Sequence, residues 1–121
     1  MSPDPTELNE TTLGEMLRGL DKETLVELVD FYINETRGRV PGLRALLEEN
    51  NFTDLKREAH SLKGASRTYG ASGYGEIAYN LETASKDENV ADAEKWLNQI
   101  ETHMDVALST LQARVQALPE G

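Results

Sequence analysis

The stretch that decides the fold is residues 52–69, FTDLKREAHSLKGASRTY. Its apolar and small residues recur at alternating steps of three and four, the spacing of a helix seam in an antiparallel bundle. These residues are Phe52, Leu55, Ala59, Leu62, Ser66 and Tyr69. No segment of the chain shows the sustained alternation that is typical of a half-buried strand. The pattern therefore predicts an all-α protein.

The sequence on either side of this stretch predicts four more helices. A short first helix spans residues 9–20, and a long second helix opens at Asp21 as its N-cap and continues past Pro41 with a kink. The stretch 52–69 is the third helix, a fourth follows the glycine-rich residues 70–75, and a fifth runs over 90–118. We expect an antiparallel up-and-down four-helix bundle whose short N-terminal helix caps one end. A flexible leader (1–8) and a tail (119–121) would flank the domain (9–118).

The composition is that of one ordinary soluble domain. Of the 121 residues 38% are hydrophobic and 28% are charged, and no apolar run is long enough to span a membrane. The net charge of −10 opposes binding to nucleic acid or to an anionic membrane. The first twenty residues lack the basic start and apolar block of a secretory signal, so we expect a cytoplasmic protein. The absence of cysteine excludes thiolate metal sites and cysteine nucleophiles.

His60 is the candidate reactive residue. A helical wheel places it about 130° from the centre of the seam, so its imidazole is expected to face solvent. Lys56, Lys63 and Arg67 share this face, and residues 51–70 carry four basic and two acidic side chains, which predicts a locally basic surface. An accessible neutral imidazole beside a cation is what a nucleophile in phosphoryl transfer requires. A solvated charged stripe is the other explanation of the same pattern.

Gly64 lies almost opposite the seam, where glycine destabilises a helix by about 1 kcal/mol relative to alanine. Bundle packing does not ask for glycine there. One turn after His60, the missing side chain would let a partner's carboxylate approach one ring nitrogen in line. The chain has no phosphate loop, nucleotide motif or metal cluster, so we expect no cofactor of its own, with Mg²⁺ and an acidic pocket supplied by the partner. The only other histidine, His103, is predicted at the boundary of the fifth helix's apolar face.

Residues 59–66, AHSLKGAS, together with Gly70-Ala71 and Leu81-Glu82, resemble the signature of histidine-containing phosphotransfer domains. The resemblance covers almost the whole chain, because that family also has a short first helix, a long second, the histidine on the third and two closing helices. It implies a phosphorelay protein that is phosphorylated on the outward ring nitrogen of His60, with Lys63 near the phosphoryl oxygens and Gly64 giving clearance. The implied partners are response-regulator receiver domains and a hybrid histidine kinase. A monomer without autokinase activity is expected.

The resemblance also suggests a docking surface on the first helix and around the histidine. It would comprise Leu13, Leu17, Lys56, Ser61, Arg67 and Thr68.

Two positions depart from the family's pattern. Tyr74 stands between two glycines where an aliphatic residue is more common, so the start of the fourth helix is expected to be frayed or displaced. Ser61 is small and polar where some relatives have a bulkier apolar contact, which leaves the identity of the partner open.

Two other functions fit parts of the pattern. A non-phosphorylated bundle could bind a signalling protein through the same face with His60 idle, although the pairing of His60 with Lys63 argues against it. The dimerisation and phosphoacceptor region of a histidine kinase also carries a helical histidine. That region expects an acidic residue directly after the histidine, a nearby proline and a nucleotide-binding domain, and this chain has Ser61 and neither of the others. The upstream kinase, the downstream regulator, the stimulus and the direction of phosphoryl flow are not encoded in any recognisable motif.

Overall fold

The structure is a computed structural model that describes residues 2–120; Met1 and Gly121 lie outside the described residues. Five helices and no strand are found in this part of the chain. The helices are α1 (Glu10–Gly19), α2 (Lys22–Glu48), α3 (Phe52–Thr68), α4 (Ser72–Lys86) and α5 (Val90–Gln116). The all-α prediction is confirmed, with α5 ending two residues earlier than expected. Over residues 2–120, no helix has the combination of length and hydropathy that crossing a membrane requires.

The four long helices close into a bundle, because α3 packs on α4, α4 on α5, α5 on α2 and α2 on α3. Helix α1 contacts α2 and covers one end of the bundle, where Leu13 is fully buried against Gly70. An ion pair between Glu10 and Arg114, with an N···O distance of 2.7 Å, connects α1 to α5. The predicted arrangement of a bundle with a capping N-terminal helix is confirmed.

Side-chain caps fix where α2 and α3 begin. The Asp21 carboxylate accepts a hydrogen bond from the backbone N–H of Thr24 at 2.7 Å, as expected for an N-cap. The side chain of Asn51 does the same for the N–H of Asp54 at 3.2 Å. Helix α2 continues through Pro41 without interruption, which confirms one long helix rather than two.

The seam of α3 sets the direction of its opposite face. Its central residues are buried, and the two end residues, Phe52 and Tyr69, are half-buried. The one polar member of the seam, Ser66, shares a 2.7 Å hydrogen bond with the hydroxyl of Tyr32 from α2, so its burial leaves no unpaired hydroxyl. Because this stripe points into the bundle, the residues 130–180° away from it must face solvent.

The expectation of a frayed or displaced start of α4 is wrong. Tyr74 is fully buried, and its hydroxyl donates a hydrogen bond to the backbone carbonyl of Ile100 at 2.8 Å, which anchors the first turn of α4 on α5. Desolvation by burial raises the pKa of Tyr74 well above its ordinary value, so the hydroxyl stays protonated and can donate.

The leader contacts the start of α4. Its backbone crosses the start of α4 so closely that a Cβ on Gly73 would lie 1.7 Å from the carbonyl oxygen of Asp4. The N–H of Gly73 donates to the carbonyl oxygen of Glu7 at 3.0 Å. Helix α4 has no side-chain N-cap, and free N–H groups at a helix start need acceptors. A backbone carbonyl from the leader satisfies this need.

Candidate functional site

His60 lies on the solvent side of α3, and 63% of its side chain is exposed. This confirms the orientation that the wheel predicted. The imidazole forms part of the wall of an open groove of about 720 Å³ between α3 and α4. The groove is also lined by residues of the two turns at this end of the bundle and by the side chains of Lys56, Arg57, Glu82 and Lys86.

Glu82 on α4 is the closest polar neighbour of His60, and sequence reasoning gave it no role. One carboxylate oxygen, Oε2, lies 2.9 Å from Nδ1 of His60, and the other, Oε1, lies 2.9 Å from Nζ of Lys63. Partial burial acts to raise the pKa of Glu82, but the hydrogen bonds and charges of Lys63 and His60 outweigh burial and lower it. Glu82 is therefore ionised at neutral pH.

This carboxylate determines the tautomer of the neutral His60 ring. An ionised carboxylate can only accept hydrogen bonds, so the ring proton is assigned to Nδ1, which donates to Glu82. The lone pair of the neutral ring then resides on Nε2. An exposed imidazole with a fixed tautomer and a free Nε2 is an oriented nucleophile.

Lys63 is more enclosed than the sequence suggested, with only 15% of its side chain exposed. Its ammonium lies against Glu82 and over the ring of Tyr79, 5.4 Å from the ring centroid. Arg67, one turn further along α3, forms an ion pair with Glu76 at 3.2 Å. The predicted basic surface is therefore partly neutralised, because α4 contributes carboxylates that a charge count along α3 alone cannot include.

Gly64 is exposed, and a Cβ built on it meets no atom within 4 Å. Nothing within the described chain requires glycine at this position. Its carbonyl accepts a hydrogen bond from the hydroxyl of Thr68 at 2.9 Å, an ordinary backbone contact that any residue would allow. A side chain at this position would project into open space, and clearance for a partner stays a prediction.

The expected docking residues differ in their exposure to solvent. Leu13 is fully buried beneath α1, so its side chain is not accessible to a partner and belongs to the core. Leu17 is half-buried, while Lys56, Ser61, Arg67 and Thr68 are exposed.

His103 is half-buried on α5, which agrees with the predicted boundary position. Among residues 2–120 no group of histidines and carboxylates is arranged to hold a metal ion.

A signal in the sequence could have revealed Glu82. Helices α3 and α4 are antiparallel neighbours joined by a tight turn at Gly70 and Ala71. Residues equally distant from such a turn lie side by side, because both helices rise 1.5 Å per residue. His60 and Glu82 are each eleven residues from Ala71. The pairing was therefore readable once the turn was placed.

Comparisons with known proteins agree with this geometry. A family model described as Hpt domain matches residues 27–119. The crystal structure of histidine-containing phosphotransfer protein B from Pseudomonas aeruginosa superposes with a TM-score of 0.83 at 20% identity, covering 96% of this chain and 100% of that one. The HPT domain of a sensor hybrid histidine kinase from Shewanella gives 0.71 at 20% identity, covering 95% and 98%. A search of curated proteins found no match.

Proposed function

Because the chain belongs to the Hpt domain family and acts as a histidine-containing phosphotransfer protein of a two-component phosphorelay, we propose that His60 is the residue that carries the phosphoryl group. The observation that carries this proposal is the hydrogen bond between Nδ1 of His60 and the ionised Glu82, which leaves Nε2 of an exposed ring free to react. The second histidine, half-buried His103, has no comparable surroundings.

The proposed reaction transfers the phosphoryl group from an aspartyl phosphate of a receiver domain. Nε2 of His60 attacks the phosphorus in line, an N–P bond forms, and the P–O bond to the aspartate breaks, which returns that aspartate as a carboxylate. Positive charge develops on the ring while the proton stays on Nδ1. The carboxylate of Glu82 stabilises this charge, and the reverse reaction donates the group to a second receiver.

Gly64 and Lys63 support the reaction in different ways. The open space over Gly64 lets the receiver's phosphoaspartate reach Nε2 without a steric clash. Lys63 places an ammonium on the α4 side of His60, where it can attract phosphoryl oxygens. We propose that Mg²⁺ and the acidic pocket are contributed by the receiver, and that the chain has no cofactor and no autokinase activity of its own.

The family implies interaction with receiver and kinase components of a phosphorelay. We propose that the receiver docks over the exposed face of α3 formed by Lys56, Ser61, Gly64, Arg67 and Thr68, with half-buried Leu17 at its edge. The partners would be response-regulator receivers and the receiver of a hybrid histidine kinase. A cytoplasmic monomer fits this role, since the docking face must be open to soluble partners.

The test is incubation of the full chain with a phosphorylated receiver domain and Mg²⁺, followed by analysis of the label. We expect an acid-labile, alkali-stable phosphoryl group on the chain, lost in His60→Gln. The matched control is His103→Gln, which should be labelled like the wild type. Label that persists on the His60→Gln protein, or disappears from His103→Gln instead, would contradict the assignment.

A further inference from the structure

Tyr79 is an aromatic residue whose side chain lies outside the buried core. It lies on the outer face of α4 and is 43% exposed. On α4 it precedes Glu82 by one turn, and it is eight residues from Ala71, as Lys63 is on α3. The same geometry that pairs His60 with Glu82 therefore pairs Lys63 with Tyr79.

The ring of Tyr79 lies close to two cations of α3. Nζ of Lys63 is 5.4 Å from the ring centroid, and the guanidinium carbon of Arg67 is 5.6 Å from it. Both distances fall within the range of a cation–π contact. Each cation also has a carboxylate partner, Glu82 for Lys63 and Glu76 for Arg67.

The contact between Lys63 and Glu82 is an ion pair in which Nζ lies 2.9 Å from Oε1. An ammonium has three N–H donors, and one carboxylate oxygen at this distance engages one of them. Glu82 and the Tyr79 ring therefore hold the ammonium in place while its other donors remain available to an acceptor on the solvent side.

We propose that Tyr79 is a positioning residue that acts through Lys63, and this inference rests on the proposed phosphotransfer at His60. A lysine side chain is flexible and its ammonium is strongly hydrated, so without a support it would extend into solvent or turn fully onto Glu82. The aromatic face attracts the ammonium without neutralising its charge. Lys63 is therefore kept beside His60 with donors free for phosphoryl oxygens.

The test compares Tyr79→Leu with Tyr79→Phe in the full chain, using a receiver domain that phosphorylates the wild type. Tyr79→Leu keeps an apolar side chain but removes the aromatic face, so we expect the maximal single-turnover rate of transfer to fall about two- to fivefold, the rate equivalent of one exposed cation–π contact, with the half-saturating receiver concentration unchanged. Tyr79→Phe keeps the face and should match the wild type. In NMR spectra, the ring-current shift of the Lys63 side-chain protons should be lost in Tyr79→Leu and kept in Tyr79→Phe.

A Lys63→Met background separates positioning from other roles. If Tyr79 acts through Lys63, adding Tyr79→Leu to Lys63→Met should slow transfer no further. An equal loss in both backgrounds, a higher half-saturating receiver concentration with a constant maximal rate, or an unaltered maximal rate in Tyr79→Leu would each overturn the inference. Failure of the proposed function itself is distinguishable, because the wild-type chain would then carry no label on His60.

Discussion

Removing the hydrogen-bond acceptor from Glu82 should slow phosphoryl transfer while leaving the bundle folded. Glu82→Met keeps a side chain of similar length but cannot accept a hydrogen bond from Nδ1 of His60, which now lies 2.9 Å from the carboxylate. Glu82→Gln keeps an acceptor oxygen and removes only the charge. The two variants therefore divide the role of Glu82 into orientation of the ring and stabilisation of its developing charge.

The magnitudes follow from the exposure of the pair. A hydrogen bond to a charged group contributes roughly 1.5–3 kcal/mol and a neutral one roughly 0.5–1.5 kcal/mol. Because 63% of the His60 side chain is exposed, solvent screens the interaction, and values near the lower ends apply. Loss of the charge alone should then cost about 1 kcal/mol, or about fivefold in rate, and loss of the whole bond about 1.5–2 kcal/mol, or roughly 10- to 30-fold.

The assay is single-turnover transfer from a phosphorylated receiver at saturating concentration, with folding checked by circular dichroism. Glu76→Gln is the matched control, since it removes the same charge from the same helix but its partner is Arg67 rather than His60. We expect the order wild type, Glu82→Gln, Glu82→Met in decreasing rate. A Glu82→Met protein that transfers at the wild-type rate would refute the assignment of Nε2 as a nucleophile oriented by Glu82.

Three further outcomes are expected. Gly64→Val should slow transfer at least about tenfold, because the new side chain would obstruct the receiver's approach to Nε2. The free energy of unfolding should be unchanged or slightly higher, since a Cβ there meets no atom of the chain and glycine is a poor helix former. Equal transfer rates would refute the clearance role of Gly64. Tyr74→Phe should lower the free energy of unfolding by about 1 kcal/mol in denaturant titrations, through loss of the bond to Ile100, and an unchanged midpoint would show that this bond contributes nothing. The difference in unfolding free energy between the wild type and Glu82→Gln should depend on pH. Folding lowers the pKa of Glu82 from 4.5, so the ionised carboxylate stabilises the fold above about pH 4.5, and this stabilisation is lost as the pH falls through the folded pKa. A difference that stays constant down to about pH 3 would contradict the lowered pKa.

The parts of the fold that depend on local sequence were predictable. The seam of α3 and the cap at Asp21 are encoded by residues within one or two turns of each other, and both are found as expected. The outward direction of His60 follows from the same seam. Contacts between helices were not predicted. His60 and Glu82 are equally distant from Ala71, so their contact follows from the sequence once the turn is placed there.

Two features could not be read from the local sequence. The family resemblance suggests Leu13 as a docking residue, but it does not show which residues of α1 the bundle covers, and here Leu13 is fully buried. The leader contributes only backbone carbonyls to its hydrogen bonds with α4: the carbonyl of Glu7 accepts from the N–H of Gly73 and from the hydroxyl of Ser72. Gly73, whose missing Cβ makes room for the carbonyl of Asp4, and Ser72 are the residues of α4 that record this contact in the sequence.

The site depends on α4 as much as on the helix that carries His60. In the proposed function, α3 supplies the nucleophile, and α4 supplies both the carboxylate bonded to it and the ring beside Lys63. The position of α4 depends on its packing against α3 and α5, and its first turn is held by the bond from Tyr74 to α5 and by the leader. A catalytic arrangement that spans two helices is only as well defined as their relative position. The buried Tyr74 and the leader would therefore contribute to the orientation of the His60 imidazole through the position of α4.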